Sequence, residues 1–160
     1  MRLIRSQKPD SAGKPPLVFR LSPREKVVLL ATLKLYPQLD LGYHQLSRDP
    51  KSSKPAQQEW LKEAMEQQRQ EHKKRLAQFF SNDRRFFNEA EEDLLLTLTG
   101  EQMEWLLRVL NEIRVGSWVR LGSPELETVR KLKPTVAQAR LLTAMELSGY
   151  FESALLEAFS

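Results

Sequence analysis

The sequence predicts a mainly α-helical single domain, a bundle of four to five helices with a small two- or three-stranded antiparallel sheet. Three observations point there. The S/T-x-x-E/Q box that caps a helix start occurs at Ser22 with Glu25, Thr99 with Gln102 and Thr135 with Gln138. Pro55 to Phe80 has no breaker inside it and is rich in Gln, Glu, Lys and Ala. Leu17–Leu21 and Leu94–Leu98 alternate as strands do, and each runs straight into a capping box.

In order, Arg2 to Arg5 reads as a short strand, and KPDSAGKPP after it as a flexible loop, so residues 1–16 form a partly flexible N-terminal arm. The strand Leu17–Leu21 leads into Ser22, Pro23 and Glu25 as N-cap, N1 proline and N3 partner, opening a helix that reaches Pro37. Residues 37–54 form a long connection marked by Pro37, Gly42, Pro50, Ser52 and Ser53. One long helix follows from Pro55 to Phe80, with Phe87 as its furthest end; its apolar stripe of Leu61, Met65, Leu76 and Phe79 is narrow and is interrupted by Gln68 and His72. Glu89, Glu91, Glu92 and Asp93 read as a solvated acidic loop before the second strand.

Leu94 to Gly122 is the densest apolar stretch and the one around which the chain is organised. Thr99 caps a helix of about six turns, and Gly122 supplies a left-handed stop. At 100° per residue, Met103, Leu106, Leu107, Leu110, Ser117, Trp118 and Leu121 share one arc, with Arg114 near its middle and Asn111 at its edge. Trp105, Val115, Gly116 and Val119 fall on the other side. Apolar on nearly all faces, this helix is expected to be surrounded by its neighbours. A short helix from Ser123-Pro124 to Lys133-Pro134 and a final one from Thr135 to about Phe159 complete the chain, with Ala137, Ala144, Ala154 and Ala158 allowing close approach on the last. LVFRLSPREKVVLL and LLLTLTGEQMEWLL align without gaps, each giving strand, cap and helix; their two strands are expected to pair with both helices on one face.

At 160 residues the chain is one domain, residues 1–160. It has no cysteine, which excludes disulfides, thiolate zinc sites and cysteine nucleophiles. No apolar run approaches a membrane span, so a soluble cytoplasmic protein is expected. The formal charge is +4, with residues 1–34 basic and residues 88–128 acidic, a split that favours internal complementarity over a uniformly basic surface. No HExxH, G-x-S-x-G, G-x-G-x-x-G or G-x-x-x-x-G-K-[ST] occurs, so no catalytic, metal or cofactor-binding set is assigned.

Arg114 is the most informative single residue, since a guanidinium on an apolar arc must either reach the rim or be paired. Glu63, Glu66, Glu146 and Glu152 are its candidate partners. The polar set Asn111, Arg114 and His72 supports an alternative reading, a small-molecule site or an enzyme pocket. A further alternative is nucleic acid, bound by the basic arm and the Lys73–Arg85 cluster with its phenylalanines; core burial of those rings and the Glu71 partner of Arg75 weigh against it. The favoured function is a non-enzymatic interaction, adaptor or regulatory module using Arg2, Arg5, Lys8, Tyr43, His44 or Trp105, or surplus apolar surface on the central helix. Trp105 with Val119 also offers a homodimer face.

The pattern W-L-x-x-x-L-N-x-x-R, carried by Trp105, Leu106, Leu110, Asn111 and Arg114, resembles the signature of a bacterial domain-of-unknown-function family of small helical proteins, encoded in some bacteria near the Clp protease adaptor. The likeness extends to Arg120-Leu121-Gly122, to FRLSPREKVVLL, to the helix after Arg48-Asp49-Pro50 and to ALLEAF. The chain departs from the leucine-rich LRL-x-LG-x-RLG segment of that family, reading Ile113-Arg114-Val115-Gly116-Ser117-Trp118-Val119 before Arg120. The resemblance implies a fold, a bacterial origin and a link to Clp proteolysis, and no mechanism.

Overall fold

The computed structural model describes residues 1–5, 16–39, 55–81, 86–89, 93–131 and 133–157. In chain order the elements are β1 (Arg2–Arg5), β2 (Leu17–Leu21), α1 (Pro23–Leu33), α2 (Pro55–Ser81), β3 (Phe86–Glu89), β4 (Asp93–Leu98), α3 (Gly100–Arg120), α4 (Leu126–Lys131) and α5 (Val136–Leu156). The class is the one the sequence predicts, a helical bundle on a small antiparallel sheet.

The sheet has four strands in the order β1-β2-β4-β3, one more than expected. The addition is β3, whose four residues carry too little alternation to be read alone; pairing with β4 in the register Phe86↔Leu96 makes it a strand and buries Phe86. The two ends of the acidic run thus pair as strand residues, Glu89 opposite Asp93, while Glu91 and Glu92 lie outside the described residues. The central pair is the expected one, β2 on β4 with Phe19↔Leu96 at its middle. Leu3, Phe19, Leu96 and Phe86 therefore form one row across the sheet, all turned toward the helices and packed in one core.

All three predicted capping boxes are present. Ser22, Thr99 and Thr135 each accept from the backbone N–H three residues on, and Glu25, Gln102 and Gln138 return the bond. α1 ends at Leu33, short of Tyr36, because the residue before a proline is pushed out of the helical region. α3 closes with a Schellman motif: Gly122 sits at φ 89, its N–H bonds the Val119 carbonyl at 2.9 Å, and the Ser123 N–H bonds the Trp118 carbonyl at 3.0 Å.

α3 is buried along one face only, which corrects the expectation of a helix enclosed on all sides. The buried residues are Met103, Trp105, Leu106, Val109, Leu110, Ile113, Gly116 and Ser117, an arc of about 160°. Its centre lies about 80° round from the arc read in the sequence. Leu107, Arg114, Trp118 and Leu121 border or leave that arc, and Trp105 and Gly116 are inside it. α3 packs most extensively against α5, where Ala144 and Ala154 are buried and Ala137 is exposed; Ala158 lies outside the described residues. α2 is loosely held for its length, with only Leu76 and Phe79 buried and Trp60 76% exposed.

Candidate functional site

Arg114 leans from the edge of α3 toward α5 and donates to Glu152 Oε2 at 2.9 Å. The ion pair expected from the sequence is formed, with a difference: the carboxylate is the buried partner and the guanidinium side chain is 53% exposed. Asn111 is exposed on the outer flank of α3. His72 belongs elsewhere, on α2, where its Nδ1 and the Tyr36 hydroxyl share a hydrogen bond at 3.2 Å and the rings tilt together at 5.6 Å. Burial pushes His72 below its ordinary pKa against the opposing pull of Glu71, so it is neutral at pH 7. The three polar residues therefore do not converge on one pocket.

His72 does line a cleft of about 310 Å³ between α2 and α3, together with Gln68, Glu71, Arg75, Glu101, Glu104, Trp105 and Arg108. Its charges are partly answered along each helix, with Arg75 on Glu71 at 2.6 Å and Arg108 on Glu104 at 4.0 Å. The hydroxyl that His72 meets, Tyr36, lies outside the residues that line this cleft. None of the described residues form a metal-ligating group.

The interaction residues named from the sequence fare unevenly. Arg2 is exposed on the edge strand β1, and Arg5 ends that strand. Lys8, Tyr43 and His44 lie outside the described residues, as do Arg84, Arg85 and the connection from residue 40 to 54. Trp105 is a correction: it is 6% exposed, with its ring centroid 6.0 Å from that of Phe79, so it belongs to the core and offers no dimer face. Phe79 and Phe86 are likewise buried and meet edge to face at 6.1 Å, and Lys34 stands over Phe80 at 5.9 Å. Phe79 and Phe86, with Phe80 packed partly against them, thus serve the core instead of a stacking groove, and the Phe87 side chain lies outside the described residues. On α3 some apolar surface is left over, Val115 and Trp118 each at 39% exposure.

A larger apolar surface, not singled out in the sequence, lies between α1 and α5. α1 and α5 run antiparallel, since Tyr150 near the end of α5 donates to Glu25 at the start of α1. Between them opens a groove of about 570 Å³ lined by Val27, Val28, Ala31, Thr32, Leu35, Val136, Ala139, Arg140, Thr143, Ala144 and Leu147. Val27 is 66% exposed, Leu35 42% and Val136 74%. The signal was present in the sequence. Leu29, Thr32 and Leu33 suffice to bury α1, and Val27, Ala31 and Leu35 repeat every four residues beside them as a second stripe.

No family model matches this chain, and no curated protein and no solved structure matches it. Among the described residues no helix is long and apolar enough to cross a membrane.

Proposed function

We propose that this chain is a non-enzymatic protein-interaction module that takes a helical segment of a partner protein into the α1–α5 groove. The observation that carries the reading is the pair of matched stripes. Val27, Val28, Ala31 and Leu35 on one side, and Val136, Ala139, Thr143 and Leu147 on the other, present two antiparallel apolar ridges with no third helix between them among the described residues. Ridges spaced in this way are the complement of a helix that carries apolar side chains at i, i+4, i+7 and i+11. Val136 to Leu147 spans about 17 Å of α5, room for about three turns. The resemblance of the Trp105–Arg114 motif to the bacterial family would set such a module in the cytoplasm, beside Clp proteolysis; it adds a setting and no further contact.

Titration with an amphipathic helical peptide of about 12 residues tests the reading. Backbone amide resonances of Val27–Leu35 and Val136–Leu147 are expected to shift, and Val136→Glu, an exposed position whose change leaves the fold intact, abolishes the shifts. Perturbation confined to another face, or none at all, overturns it.

A further inference from the structure

We infer that the helix accepted by this groove carries carboxylates along its flanks, an inference that rests on the groove being a helix-docking site. Among the described residues the lining holds a single charged side chain, Arg140, which is exposed and meets no carboxylate there. Arg24 continues the α1 stripe one turn before Val27 and Val28, is exposed, and is equally unpaired among the described residues. The carboxylates nearest along the two helices do not answer them. Glu25 is already engaged by the Met1 amino group, the Ser22 N–H and the Tyr150 hydroxyl, and Glu146 does not line the groove.

Two guanidiniums therefore flank an apolar floor, Arg140 within the α5 ridge and Arg24 at the α1 end, with no acid among the described lining residues to compete for them. Such an arrangement selects sign as well as shape, because a basic helix laid on the same floor brings like charges together at reduced solvation. It also argues against a second copy of this chain as the occupant. A two-fold pairing of groove on groove places each copy's Arg24 and Arg140 against those of the other. The planar guanidinium favours a carboxylate in two-point contact, so Glu or Asp one turn to either side of the apolar row is the matching chemistry.

The test uses the full chain and three labelled helical peptides with one apolar face and flanks of Glu, Gln or Lys, followed by fluorescence anisotropy at low and high salt. The Glu peptide is expected to bind about five- to tenfold more tightly than the Lys peptide at low salt, the margin of two exposed charge pairs, and to lose that margin as salt is raised. In the double variant Arg24→Glu/Arg140→Glu, shown to be folded by its circular dichroism, the order reverses. Equal binding of all three peptides overturns the acidic inference and leaves the docking site standing. Binding of none overturns both. A concentration-dependent dimer that Val136→Glu dissociates makes the occupant a second copy and overturns the inference as well.

Discussion

Arg114 and Glu152 show how one residue's environment sets the sign of a substitution. Glu152 is 7% exposed and its Oε1 has no hydrogen-bond partner among the described residues, so the Arg114 guanidinium on Oε2 is the main compensation for its burial. Arg114 itself keeps half its side chain in water, which limits the strength of the pair. Replacing Arg114 with Met leaves a buried carboxylate unanswered and is expected to cost about 1–3 kcal/mol. Adding Glu152→Leu removes the stranded charge and should recover most of that loss, a coupling that urea denaturation of the four-member cycle measures. Equal stability of the single variant and the parent would mean that Glu152 is solvated in spite of its burial. The sequence named Arg114 and placed Glu152 among four candidate partners, since a guanidinium beside an apolar arc needs an acid. It left open whether Arg114 reaches the rim or is enclosed, because Arg114 lies where α3 turns from its buried to its exposed side, and that boundary is drawn by α5.

At the scale of elements, the segment after α1 is clamped across two helices by contacts that no local pattern foretells. Glu112 on α3 accepts from the Gln38 and Leu39 N–H groups at 3.1 and 3.2 Å, Arg69 on α2 donates to the Leu39 carbonyl at 2.6 Å, and Arg120 donates to Gln38 Oε1 at 2.6 Å. Gly116 is what lets this segment lie so close to α3. A Cβ there would stand 2.5 Å from Gln38 Cβ and 3.1 Å from Leu39 Cγ. In an open helix, Gly→Ala adds about 1 kcal/mol of stability; here the forced displacement outweighs it, and Gly116→Ala is expected to cost about 1–3 kcal/mol. A raised urea midpoint in that variant would show that residues 38–39 yield freely. Element existence was legible because caps and periodicity are local: Ser22, Thr99, Thr135 and Gly122 each mark a boundary found in the fold. β3 was not legible, since a four-residue edge strand takes its state from its partner, and the groove was overlooked because an apolar stripe in sequence looks the same whether it is covered or open.

Across the whole molecule, two titrating groups join parts that are distant in sequence, and their signs make acid the weak side of the stability profile. Burial by itself would raise the Glu25 carboxyl, but the Met1 amino group, the Tyr150 hydroxyl and the Ser22 N–H outweigh it and hold it down at about 2. That site links the start of β1, the first turn of α1 and the end of α5. A carboxylate depressed by folding contributes stability that is complete above its unfolded value near 4.3 and is lost as pH falls toward about 2. The hydrogen bond to Glu25 pushes the Tyr150 hydroxyl up to about 12, so its contribution is present below about 10 and is lost only in strong alkali. His72 is also lowered by folding, through burial, and its share is present above about 6.5 and is lost as the ring charges below that. Because His72 meets Tyr36 and α2 buries little else than Leu76 and Phe79, charging the ring works on a weakly held helix. Acidification should therefore act in two stages. Amide hydrogen exchange in α2 is expected to quicken relative to α3 as pH falls below about 6.5, after correction for the intrinsic pH dependence of exchange, while the urea midpoint of the sheet and of α1, α3 and α5 holds until pH falls below about 4. His72→Gln removes the first stage and spares the second, and Tyr150→Phe does the reverse by weakening the site that keeps Glu25 ionised. A single loss of all helices at one pH, unchanged by either variant, would show that neither group links these elements.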